Sequence, residues 1–349
     1  MSGKRFFISA LCIVLALLLL VSLPTLIIDP FFHYHAPIDG ISYRLSDQRY
    51  QNDGILKNCE YDAVIIGSSM TECFKTSEFD SLFGAKSVKT PFSGAYMKEL
   101  CLRLRAGFES DNEIKCVLMG LDPRIMVAGK DVDRYDEYPD HLYDDNIFND
   151  VKYLFNKSVL FDHTLENIRR TAVGIPSDTF DEYSNWSDRW TYGREPLLKS
   201  YNAREAETVT EFTEGMRRRL TENITENLLP IIRENRDTEF YFFVPPYSIM
   251  KMRTWVEGGS CDYWFDVCSE GISLIIGEEN VRVFSFYDDH ELVCNLDNYR
   301  DMTHYGEWIN SYILECVSTG RHELFPETAE AHFDEACEYY KAYDYSVFE

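Results

Sequence analysis

The sequence predicts an α/β fold: a three-layer sandwich on a five-stranded parallel sheet, behind one N-terminal transmembrane helix. Three observations carry the prediction. Phe6 to Ile28 is an apolar run without a charge. Beyond residue 60, short apolar runs with a buried-strand pattern alternate with stretches of helical period, which argues for a parallel sheet covered by helices. And 349 residues, 45% of them apolar, supply ample material for a core.

In chain order, residues 1–5 are a short N-terminus and 6–28 the anchor. At about 1.5 Å per helical residue the anchor crosses a hydrocarbon core of ~30 Å. Lys4 and Arg5 precede it and the acidic bulk follows, so the positive-inside rule puts residues 1–5 in the cytoplasm and the bulk of the chain outside. A cleaved signal peptide is the rival, but the run is long for one and Ser22-Leu23-Pro24-Thr25 is a poor cleavage site. Residues 29–60 form a juxtamembrane segment. In it Phe31-Phe32-His33-Tyr34-His35 reads as an interfacial aromatic belt in preference to a two-histidine metal site.

The main domain is expected over 61–320. Ala63-Val64-Ile65-Ile66-Gly67 is a buried strand, followed by Ser68-Ser69 and a helix from about Met70 to Phe83. A second strand at 86–89 ends at Pro91-Phe92-Ser93-Gly94, and a helix from Ala95 to Phe108 follows. A third strand spans 115–121 and ends at Asp122. An insertion then covers about 123–203; its run from Asp131 to Asp150 carries eight acids and one arginine and reads as solvated loop, without the glycine and final glutamate of a calcium loop. Val209, Phe212, Met216, Leu220, Ile224, Leu228 and Ile231 form one apolar stripe at helical spacing, predicting a long helix over 203–235. Strands at 239–244 and 281–286 and helices within 247–277 and 305–317 complete the domain. Residues 321–349 read as an acidic, tyrosine-rich tail with weak periodicity.

Composition narrows the function. Lys plus Arg number 34 against 59 Asp plus Glu, a net charge of −25, which argues against nucleic acid as a partner because phosphate binding needs a basic face. Ten cysteines without any Cys-x-x-Cys argue against a zinc site or a disulfide framework, leaving room for one or two bridges. The Walker loop, the dinucleotide Gly-x-Gly-x-x-Gly and His-Glu-x-x-His are all absent, and no cofactor or metal is expected.

Two short elements carry chemistry: Gly67-Ser68-Ser69 after the first strand and Asp301-Met302-Thr303-His304 after the fifth. In a parallel sheet, ligands sit beyond the C-terminal strand ends. Serine needs a base to act as a nucleophile; His304 can supply it, with Asp301 three residues earlier orienting the ring. The competing reading is structural. Ser69-Met70-Thr71-Glu72 spells a capping box, and Asp301 could cap the last helix.

Ile66-Gly67-Ser68-Ser69, then Ser93-Gly94, then Asp301-x-x-His304 resembles the SGNH (GDSL-like) hydrolase family. The subtype it resembles is the membrane-anchored bacterial members of surface-polymer acylation, a group that includes the D-alanylation protein of lipoteichoic acid synthesis. The resemblance covers roughly 60–310. It implies a flavodoxin-like sheet with Ser69 as nucleophile, Asp301 and His304 completing a triad, and the Ser69 and Gly94 N–H groups as oxyanion donors. It also implies an esterase or acyltransferase acting on acyl groups, acetyl foremost, of surface polysaccharide or a teichoic-type polymer, alongside a membrane-bound O-acyltransferase. The third block departs from the family. It reads Gly120-Leu121-Asp122-Pro123, without the usual asparagine, so one oxyanion donor is missing and Asp122 is left to touch substrate or cap the strand end. The alternative function is a non-catalytic partner of the same fold that binds polymer or a membrane O-acyltransferase.

Overall fold

The computed structural model describes residues 3–134, 139–144, 146–202, 204 and 209–348. It contains a sheet of six strands in the order β2-β1-β3-β4-β5-β6. β1 (Ala63–Gly67), β2 (Ser87–Pro91), β3 (Cys116–Gly120), β4 (Glu239–Val244) and β5 (Val281–Ser285) run parallel. Every residue of β1, β2 and β3 is buried, so both faces of the sheet are covered by other elements, as a parallel sheet requires. β6 (Glu323–Leu324) adds an antiparallel edge, pairing Leu324 with Val283 and Glu323 with Phe284. The five-stranded expectation is therefore corrected to six. A two-residue strand has no periodicity to read in a sequence; Gly320, at φ +76°, ends the preceding helix and the chain doubles back beside β5.

Four further expectations change. The helix expected over 70–83 is broken: a single turn spans Ser69–Thr71 and the helix proper is Thr76–Phe83. Lys89, fully buried on β2, explains the break, because its ammonium takes the carbonyls of Glu72 at 2.6 Å and Phe74 at 2.8 Å. The helix expected over 203–235 starts at Glu214, where Thr213 caps it by accepting from the Met216 N–H. It continues through a π-helical segment, Ile224–Leu228, to Glu234; residues 203 and 205–208 lie outside those described. Leu220, Ile224, Leu228 and Ile231 of the stripe are buried in the main core. The segment before residue 61 is not merely juxtamembrane, since the helix Gln48–Asn58 sends Ile55 and Leu56 into the same core. And the acidic tail is part of the domain, because the helix Ala329–Ala342 buries Phe333, Ala336, Cys337 and Tyr340. Its apolar stripe is narrow and diluted by exposed acids, which hid it in the sequence.

The helix Gly3–Ile28 is long and apolar enough to span a membrane and stands almost wholly free of the domain. Among the described residues all ten cysteines are unpaired, with Cys261 and Cys337 approaching to 3.3 Å. The two histidines beyond the helix do not converge: the His33 ring bonds Asp150 and the His35 ring its neighbour Ala36.

Burial lowers the Lys89 pKa to about 8. An unfolded chain keeps that proton to about pH 10.4. Between these values the unfolded state binds more protons, so Lys89 contributes stability that rises with pH. Lys89→Met orphans two buried carbonyls and should cost about 1–3 kcal/mol in urea unfolding at pH 7. The gap between wild type and variant should widen from about pH 8 to 10.4.

Candidate active site

The order of the sheet decides where chemistry can collect. From β1 the chain goes outward to β2 and then returns to the other side of β1 for β3. The strand order reverses there, and a crevice opens at the C-terminal ends. A cavity of about 330 Å³ occupies it, lined by Ser68 and Ser69 after β1, Gly94 after β2, Asp122 after β3, Tyr247 after β4 and His304 after β5. Five strand ends thus meet at one void.

Ser69 sits in a tight turn. Gly67 has φ +156°, and a Cβ there would lie 2.6 Å from Thr71 Cγ2, so only glycine admits the close return of the chain. The Thr71 N–H and hydroxyl both donate to the Ser68 carbonyl. The sequence left open whether Ser69 is a cap; in the structure it is Ser68 that accepts from the Met70 N–H, and Glu72 does not reach back. The Glu72 carboxylate instead accepts from Gln48 and, at 2.6 Å, from the Trp186 indole N–H. Ser69 Oγ is released from capping and lies 2.9 Å from His304 Nε2.

His304 is held on a loop closed at both ends. Tyr299 and Tyr305 form a bridge, the Arg300 N–H donates to the His304 carbonyl, and Ser248 ties the loop down by donating to the Met302 carbonyl. Asp301 does not cap the helix expected at 305–317, which begins at Glu307 after Gly306. Its carboxylate turns back inside the loop, accepting from the N–H groups of Thr303 at 2.9 Å and His304 at 2.8 Å and meeting His304 Nδ1 at 2.9 Å. Burial works to raise the Asp301 pKa, but the His304 imidazole and these N–H groups outweigh it and hold the carboxyl far below its ordinary value. An ionised Asp301 only accepts, so Nδ1 carries the imidazole proton and Nε2 is left to accept the Ser69 hydroxyl proton.

Asp122 takes a different part from the one its position suggests. Its carboxylate accepts from the Ser68 hydroxyl at 2.6 Å and from Tyr247. Burial pushes its pKa up, against these two hydroxyls, which favour the charged form. It clamps the end of β3 to the serine turn, and both oxygens are already engaged by protein donors. Gly94, at φ +70°, faces the same void.

Sequence reasoning missed Tyr247, Glu72, Arg300 and the cavity wall of Lys251, Trp255 and Trp264. Tyr247 was within reach, because the rule that placed Ser69 and Asp122 at strand ends applies equally to the residues after Pro245-Pro246. Arg300 had no sequence signal: its guanidinium stands 4.0 Å from the Trp186 ring and 4.4 Å from that of Trp190, with Nε 3.2 Å from Asp301. The Trp186 ring meets His304 edge-on at 5.5 Å. Tyr192 packs on Trp308. Trp186 is thus packed behind His304 and Tyr192 against Trp308, while Trp190 stays 56% exposed.

The depressed Asp301 pKa predicts a pH signature. A carboxyl with a folded pKa below its unfolded value of about 3.9 adds stability that is complete above that value and lost as pH falls through the folded one. Asp301→Asn should therefore lower the melting temperature at pH 5–8. The difference from wild type should shrink steadily below about pH 4.

No protein-family model matches the chain, and no curated protein does. A solved structure described as that "of a putative platelet activating factor from Streptococcus pneumonia" is similar at a TM-score of 0.38 and 11% identity, over 78% of this chain and 89% of that one. The site therefore stands on its own geometry.

Proposed function

We propose that the chain is a membrane-anchored, extracytoplasmic serine esterase or acyltransferase of SGNH type, acting on O-acyl groups, acetyl foremost, of a cell-surface polysaccharide. The observation that carries the reading is the chain of contacts from Ser69 Oγ through His304 to Asp301, opening on a cavity at the sheet's switch point. His304 Nε2 takes the Ser69 proton as the hydroxyl oxygen attacks the acyl carbon. The N–H groups of Ser69 and Gly94 are the candidate donors to the oxyanion. The bond to the leaving alcohol breaks, His304 returns the proton to that alcohol, and an acyl-Ser69 ester remains. A second hydroxyl, from water or a sugar, then gives its proton to His304 as its oxygen attacks the acyl carbon; the ester bond to Ser69 breaks, and His304 returns the proton to Ser69 Oγ. Asp301 holds the ring in the required tautomer throughout.

Asp122 adds no donor to this scheme, since it is an acceptor for two protein hydroxyls. Loss of one such donor has cost about 10²–10³ in rate elsewhere. Slow hydrolysis of simple esters fits this, with efficient turnover reserved for a polymer or teichoic-type acceptor presented beside a membrane O-acyltransferase. Lys4 and Arg5 ahead of the apolar helix support an outward domain.

Two outcomes are expected. A fluorophosphonate probe should label the wild type, and Ser69→Ala should abolish both labelling and esterase activity while leaving the melting temperature within a few degrees. An unlabelled wild type overturns the enzyme reading in favour of a binding role. Protease added to intact cells should digest the chain beyond about residue 29; full protection reverses the topology.

A further inference from the structure

The helical run of Val159–Thr164 and Leu165–Val173 leaves an apolar stripe exposed while burying polar side chains. Three of its uncharged polar residues, Thr164, Asn167 and Thr171, face the protein. Thr164 is buried and bonds Thr25 at 3.1 Å, buried Asn167 accepts from the Arg44 N–H, and Thr171 accepts from the Ser42 N–H. Val159 packs inward, but four other apolar residues face outward: Phe161 is 56% exposed and Val173 62%, with Leu165 and Ile168 exposed between them. Phe161, Leu165 and Ile168 recur at helical spacing and form one stripe. Nearby, Ile147, Val151 and Phe155 are exposed as well, and Phe148 is 85% exposed. A water-soluble domain buries such a stripe; an exposed one marks a binding surface.

Its position says what covers it. Thr25 and Ile28 are buried where the N-terminal apolar helix meets the domain, and the Thr25–Thr164 bond fixes the run against that point. If the helix spans a bilayer, its last turns lie at the membrane surface and the stripe lies at the same level. The charge agrees. In a chain of net charge −25, residues 147–173 carry four cations, Lys152, Lys157, Arg169 and Arg170, against three acids, Asp150, Asp162 and Glu166. Asp150 is buried against His33 and Tyr34, Arg169 pairs with Glu166 and Arg170 turns inward to Asp178, so Lys152 and Lys157 stand against Asp162 as the remaining charges. An apolar face rimmed by Lys and Arg is the pattern of a helix lying in the headgroup–acyl boundary.

We propose that residues 147–173 form a second membrane contact, an interfacial surface that lies in the lipid beside the anchor and fixes the tilt of the domain on the bilayer. This rests on the reading of residues 6–28 as a retained membrane span. The test uses the full chain in phosphatidylcholine–phosphatidylglycerol nanodiscs containing a phosphatidylcholine with a diazirine on its acyl chain. After irradiation, lipid adducts should appear in peptides from 147–173 as well as from 6–28. Phe161→Ser/Leu165→Ser/Ile168→Ser should lower the 147–173 adducts at least fivefold and leave those in 6–28 unchanged. Phe148→Ser/Phe155→Ser, on the neighbouring exposed segment, gives an independent second variant with the same expectation. Adducts confined to 6–28 overturn the proposal and leave the anchor standing; adducts in neither segment overturn both. Crosslinks joining two copies through 147–173, without lipid adducts there, overturn it in favour of self-association.

Discussion

The hydrogen bond from Ser69 Oγ to His304 Nε2 joins positions 235 residues apart, and the constraint behind it is the parallel direction of the first five strands. Parallel strands deliver all their C-terminal ends to one edge of the sheet. Each loop there has only to contribute one or two side chains for a composite site to form. Ser69, Gly94, Asp122, Tyr247 and His304 each come from a different strand end. An antiparallel β3 or β5 would place Asp122 or His304 at the opposite edge, about one strand length away.

Around that bond the packing is arranged so that the serine turn and the histidine loop cannot drift apart. Asp122 ties the turn to β3 and to Tyr247. Lys89, beneath the turn, draws in the carbonyls that follow it. Asn310, on the helix Glu307–Thr319, donates to the Met70 carbonyl, so the element just beyond the histidine loop grips the turn directly. Glu72 and Trp186 bring the insertion over the same spot. Buried polar groups of this kind are costly unless satisfied. Their mutual satisfaction here holds Ser69 Oγ within hydrogen-bond distance of His304, as the proposed nucleophile and base require. Elsewhere the insertion packs against the base of the N-terminal helix through Thr164, so one segment links the site's wall to the foot of that helix.

The five parallel strands were legible because a strand buried on both faces has to be a short, nearly continuous apolar run, and runs such as Ala63–Gly67 and Glu239–Val244 stand out against polar flanks. The apolar helix was legible for the same reason: its solvent requirement is written into every residue. Ser69, Asp301 and His304 were legible as a candidate constellation, since few residue types can activate a hydroxyl. Whether those same letters spelled caps was not. Capping and catalysis use the same side chains at the same helix ends, and local sequence does not say which hydrogen bond a serine makes.

Sequence alone thus determined the elements whose stability is local or one-dimensional: the apolar span, the strand runs, the glycine that the Gly67 turn requires, and the charge that disfavours nucleic acid. Tertiary structure decided what depends on distant partners. It broke the helix after Thr71 because a lysine from the next strand claimed its carbonyls. It added β6 because an edge strand of two residues exists only by pairing with β5. It turned the acidic tail into a packed helix and made Asp122 a clamp. It also left the stripe of Phe161, Leu165 and Ile168 outward, with Thr164, Asn167 and Thr171 bonded inward to Thr25, Arg44 and Ser42. In each case the deciding group lies at least fifteen residues away along the chain, and only folding brings it within bonding distance.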